Sequence, residues 1–151
     1  MKKIILLPII LFLITLLVFS NTAVSKPPQF LSITLYNIPI TFGNMDPNMT
    51  KEAEVNPLII NVDTNVASFN IEVEAGAVDF KSGRNSFPVS NLQWNTTNNF
   101  PGTNYTGVSA IAYSNLTTTG NYSLYHQLTI PPSQQAGTYD VSIKITASEI
   151  K

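Results

Sequence analysis

One histidine, His126, nine acidic side chains and no cysteine are almost the whole stock of catalytic groups in this chain. Without cysteine there is no thiol nucleophile and no thiolate metal site. One imidazole cannot supply the usual zinc ligand sets within a single chain. Tyr122, Leu124, His126, Leu128 and Ile130 share a parity, so the imidazole falls on an apolar strand face. That placement reads as a hydrogen-bonded core or rim residue, with a catalytic or metal role as the alternative. A Ser-His-Asp set is arithmetically available, but no serine sits in a G-x-S-x-G elbow. Glu72 and Glu74 share the outward face of one strand, roughly 7 Å apart, which a solvated surface explains. Asp46 and Asp79 stand beside loops without the D-x-D-x-D-G spacing of a calcium loop. Glycoside hydrolysis needs two carboxylates across a cleft, and the spacing points to none. The expectation is a protein that is not an enzyme and carries no cofactor or metal.

Asparagine and aromatic side chains remain. Asn48, Asn95, Asn104, Asn115 and Asn121 each head an N-x-[ST] triplet. Four of the five lie between residues 95 and 121, in expected loops, where an exported domain carries glycans if its host has the machinery. Without that machinery they are polar loops. Trp94, Phe100, Tyr105, Tyr113, Tyr122 and Tyr125 fall in or beside the same region. Such rings stack on sugars and populate protein interfaces, so Trp94, Tyr105, Tyr113, Tyr122 and Tyr125 are candidate sugar or partner contacts. Equally, Trp94 and about half of the tyrosines can be core.

The elements that must position these residues begin after a leading segment. Lys2 and Lys3 precede an uncharged apolar run from Ile4 to Phe19. As a helix that run spans roughly 24 Å, short of a hydrocarbon core of about 30 Å. With the small-residue site Ala23-Val24-Ser25 it reads as a secretory signal peptide over residues 1–25. The alternative is an uncleaved anchor, which would be the only membrane attachment. Either way residues 26–151 are exported, to the cell surface or beyond, and form one domain. With Lys2 and Lys3 set aside, that part is sparsely charged and weakly acidic. Nucleic acid, which demands a basic surface, is excluded as a partner.

No stretch of the domain shows a helical period. Leu31, Ile33 and Leu35 alternate, then the parity shifts at Asn37 to Ile38, Ile40 and Phe42, which predicts a bulge or a crossing between sheets. Gly43 to Thr50 reads as a loop. Leu58, Ile60 and Val62, the turn Asp63-Thr64-Asn65, and then Ala67, Phe69, Ile71, Val73 and Ala75 predict a β-hairpin. Val78 and Phe80 lead into a turn over 81–85, and Phe87 to Trp94 reads as one irregular strand. Asn95 to Gly107 reads as a long exposed loop. Val108–Tyr113 and Tyr122–Ile130 are further strands. The count is about eight strands in a single antiparallel sandwich.

The last strand has the cleanest pattern. Tyr139, Val141, Ile143, Ile145 and Ala147 lie on one side, and Thr138, Asp140, Ser142, Lys144 and Thr146 on the other. That predicts a strand with one buried and one wet face. Gly137-x-Tyr139-x-Val141 resembles the corner of an immunoglobulin-like sandwich, as also found in pilin-like exported domains. There the tyrosine hydroxyl bonds back to the upstream backbone. Val141 stands where antibody domains have cysteine, so no disulfide is implied.

Two functions follow as expectations. The first is a non-catalytic surface protein acting by contact, a structural or adhesive module whose partners are other surface proteins or copies of itself. In its filament form, the Gln29–Tyr36 arm of one subunit pairs with the edge of Tyr139–Ala147 in another by strand addition. The alternative is a carbohydrate-binding module that uses the loop aromatics.

Overall fold

The computed structural model describes residues 26–151; the expected signal segment, 1–25, lies outside the described residues. Alternation of apolar and polar residues decides the architecture. In β3 (Leu58–Thr64), Leu58, Ile60 and Val62 are buried, and in β4 (Phe69–Ala75) so are Phe69, Ile71, Val73 and Ala75. Each of these burials other than that of Ala75 contributes about 1.5–3 kcal/mol. The two strands face each other from opposite layers of an all-β, antiparallel sandwich.

The first sheet has the order β1 (Leu31–Tyr36), β3, β10 (Gly120–Thr129), β7 (Leu92–Asn95), β8 (Thr103–Asn104), with the short β2 (Thr50–Glu52) also on β10. The second sheet has the order β11 (Ile143–Glu149), β4, β9 (Ala110–Leu116). A separate hairpin joins β5 (Asp79–Ser82) to β6 (Asn85–Pro88).

The expected hairpin between β3 and β4 does not form. β3 pairs with β1 and β10, while β4 pairs with β11 and β9. Residues 65–68 instead carry the chain from one layer to the other. The reason is that alternation assigns a face to each strand but no partner. As a hairpin, these two strands would put both apolar faces on the same side of one sheet. As an arch, they cover each other.

Smaller departures share a cause. The expected strand from Phe87 to Trp94 is cut by a 3-10 turn at Val89–Asn91, which follows Pro88. The loop expected over 95–107 contributes β8, and the one ending at Thr50 contributes the start of β2. At Asn37, where the parity shift was read, β1 ends and the backbone takes φ 65°. The last strand starts at Ile143 rather than Tyr139, because upstream the backbone contacts are isolated: Asp140 bridges to Lys81, and the Ser142 carbonyl accepts from the Gly76 N–H at 2.7 Å. Its inward face is half-buried, since β11 is an edge strand that, among the described residues, pairs only with β4.

Candidate functional site

A concavity lies between the layers, at the end where β10 finishes and β11 begins. It is a cleft of about 900 Å³. One wall is the segment after β1, with Ile40 and Phe42. The other is the approach to β11, with Val141 and Ile143, and Leu128 lies between them. Phe80 and Phe87 stack at 4.7 Å in its lining, and Phe87 meets Tyr139 at 5.1 Å. The first wall is tied down by Lys51 Nζ donating to the Phe42 carbonyl at 2.7 Å and by the Glu54 N–H donating to the Thr41 carbonyl at 2.7 Å. Its lining is mainly apolar and also includes the acidic residues Asp46, Glu54 and Asp140; among the described residues it lies beside the unpaired edge of β11. In the sequence the only trace of this cleft was the parity shift that brought Ile40 and Phe42 into phase with each other.

The corner residues form part of the cleft. A side chain at Gly137 would place its Cβ 2.6 Å from Ser82 Oγ and 3.1 Å from Ser82 Cβ, so Ser82 would have to shift to admit one. Tyr139 Oη donates to the Gln135 carbonyl at 2.8 Å, the upstream backbone bond that the corner resemblance implies. Val141 is half-buried and faces the cleft.

His126 is outside the cleft and fully buried at 0 % exposure. Its Nε2 lies 2.9 Å from Tyr105 Oη, with the rings nearly parallel at 7°. The phenol has no other acceptor among the described residues, so it donates to Nε2 and the imidazole proton sits on Nδ1. Nδ1 has no hydrogen-bond partner. Burial lowers the His126 pKa from 6.5 to about 4; the Leu124 backbone pulls it up slightly but does not reach hydrogen-bond geometry with the ring. Burial also pushes the Tyr105 hydroxyl far above the ordinary tyrosine value. A neutral imidazole sealed in this way cannot touch a substrate.

Asp46, Glu54 and Asp140 line the cleft, whereas Glu72 and Glu74 stand apart on β4. Glu72 accepts from Ser109 Oγ at 2.8 Å and Ser148 Oγ at 3.1 Å, while Glu74 meets Lys144 at 3.7 Å. Among the described residues no three of His, Asp and Glu gather into a metal-binding group.

The aromatic candidates do not form a platform. Trp94 and Tyr105 are core, and a buried ring has no face to offer a sugar. Tyr113 and Tyr122 are half-buried and tilted by 59° to one another, with Phe69 edge-on to Tyr122 at 84°. Their hydroxyls donate to the Ser123 and Thr118 carbonyls, each at 2.6 Å. Of the five, Tyr125 alone lies at an outward position of β10. The most exposed tyrosine is Tyr36, on β1 and outside that candidate set, at 53 %. Of the sequon asparagines, Asn48, Asn104, Asn115 and Asn121 are exposed and Asn95 is half-buried.

Comparison with known proteins adds little. No family model matches the chain, and no curated protein matches it. Among solved structures it resembles part of a family 123 glycoside hydrolase from Clostridium perfringens, at 16 % identity and a TM-score of 0.42. The match covers 80 % of this chain but 25 % of the hydrolase chain, so this chain spans about a quarter of that enzyme. Likeness this slight carries no inference about activity.

Proposed function

We propose that this is an exported, non-catalytic surface protein that acts by contact, and that its contact is with another copy of itself. The observation behind this is the apolar cleft lying beside the unpaired edge of β11. An unpaired edge offers backbone donors and acceptors to an incoming strand, and apolar pockets beside it select alternate side chains.

The incoming strand of this proposal is β1 of the next copy. Within one chain β1 is seated on β3, with Leu31, Ile33 and Leu35 only half-buried at the sheet margin. In a neighbour's cleft the same three side chains would meet walls from both layers. The geometry also favours a chain of subunits over a closed pair. Residues 28–30 are bound at the far end of the sandwich, where Asn65 Nδ2 donates to the Pro28 carbonyl and Gln29 Nε2 to Glu149. The cleft is at the opposite end, beside Ile143. An arm at one end and its seat at the other make a head-to-tail contact, which propagates.

A covalent lock tests this. Thr34 and Asn61 are direct partners across β1 and β3, a spacing that accepts a disulfide. The domain itself is expected to gain mass with concentration in sedimentation. The oxidised Thr34→Cys/Asn61→Cys form should stay a single chain and regain assembly on reduction. A wild type that stays single at all concentrations, or a locked form that assembles as well as the reduced one, removes the proposal.

A further inference from the structure

The five N-x-[ST] triplets are not equivalent once the side-chain nitrogen is followed, and Asn Nδ2 is the atom to which a sugar would be joined. Asn95 Nδ2 donates to the Asn99 carbonyl at 2.5 Å. Its Oδ1 accepts from the Thr97 N–H at 3.2 Å and the Thr97 hydroxyl at 3.3 Å. Both ends of that half-buried amide therefore hold the 95–99 loop closed. A sugar there would have to share a half-buried nitrogen that the Asn99 carbonyl already crowds.

At the other four the nitrogen is free. Asn48, Asn104, Asn115 and Asn121 are exposed, and none donates a side-chain hydrogen bond among the described residues. Asn104 and Asn121 are held by their oxygens alone, which accept from Gln93 Nε2 at 2.9 Å and Asn61 Nδ2 at 2.7 Å. This orients each amide and leaves its nitrogen unengaged. Asn48 and Asn115 sit in left-handed backbone at φ 65° and 54°, a conformation asparagine tolerates in turns.

We propose that Asn48, Asn104, Asn115 and Asn121 carry N-linked glycans and that Asn95 does not. The donor is a lipid-diphosphate-linked oligosaccharide. A bond forms between Nδ2 and C1 of the first sugar, and the bond from C1 to the carrier phosphate breaks. The amide gives up one proton, and the lipid diphosphate leaves. The inference rests on the export reading above, since such transferases act on exported chains.

The pattern also marks which surface stays bare. Asn104 and Asn121 stand on β8 and β10 of the first sheet, Asn48 beside the cleft, and Asn115 near the end of β9. Neither β4 nor β11 carries a sequon. The free edge of β11 is therefore left clear of sugar.

Glycopeptide mass spectrometry on the full-length gene product from its native cells tests the sorting. Asn48, Asn104, Asn115 and Asn121 should each carry a saccharide mass. Asn→Gln at any of the four should remove one glycan from the intact mass, while Asn95→Gln leaves it unchanged. Any of the four found bare, or Asn95 found occupied, overturns the assignment. The disulfide lock, done on unmodified domain, is untouched by that result.

Discussion

At the scale of single residues, the Tyr105 hydroxyl and the His126 imidazole are shut away from water with one ring nitrogen unpartnered. An unfolded chain holds its imidazole at the ordinary pKa of 6.5, whereas the folded one holds it at about 4. Between those values the unfolded state binds more protons, so stability is full above the upper value and drains away as pH falls towards the lower one. The loss over that window is ~3 kcal/mol. Urea midpoints at about pH 7.5 and about pH 5, compared between wild type and His126→Gln, check it. The variant should lose most of the wild type's decline, since the carboxylates are common to both. An equal decline in the two proteins would mean that His126 is not the group responsible.

At the scale of elements, β10 is the strand on which the first sheet depends. Its first half, to Leu124, pairs with β3, and its second half, from Gln127, with β2. His126 falls in the gap between them. There Asn56 stands in for a strand: its Oδ1 accepts the His126 N–H at 3.1 Å, and its Nδ2 donates to the His126 carbonyl at 3.2 Å. Asn56→Ala is expected to cost about 1–3 kcal/mol in denaturant melts, by leaving a buried-strand N–H without an acceptor. Asn56→Asp retains that acceptor but loses the donor and should fall between. If both variants melt with the wild type, the clamp is ornamental.

This is also the scale at which sequence reading succeeded and failed. The inward parity of Leu124, His126 and Leu128 was legible, as was that of β4, because side chains alternate regardless of partner. The partners themselves were not. Asn56 reads as a loop residue before Pro57, and nothing local says that it replaces a missing β-rung 70 residues away. The ring candidates failed in a related way. Composition places Trp94 and Tyr105 near one another, but only the facing layer turns them inward.

For the whole molecule, the cleft is the least legible feature, since its walls come from segments that meet only after both sheets have formed. The weight of the second layer falls on β11, which pairs with every residue of β4 from Phe69 to Ala75. Among the described residues the only other strand paired with β4 is β9, in a register broken by irregularities. A chain stopped after Ser142 should therefore lose cooperative unfolding, with the emission of Trp94, the single tryptophan, drifting rather than switching. A sharp transition at the wild-type midpoint would show that β9 suffices.

Because β4 is made long before β11, one of its hydrogen-bonding rims stays without its mate through most of synthesis. A chain with that schedule is kept from finishing early. Its second sheet can close only once Ile143–Glu149 have been made.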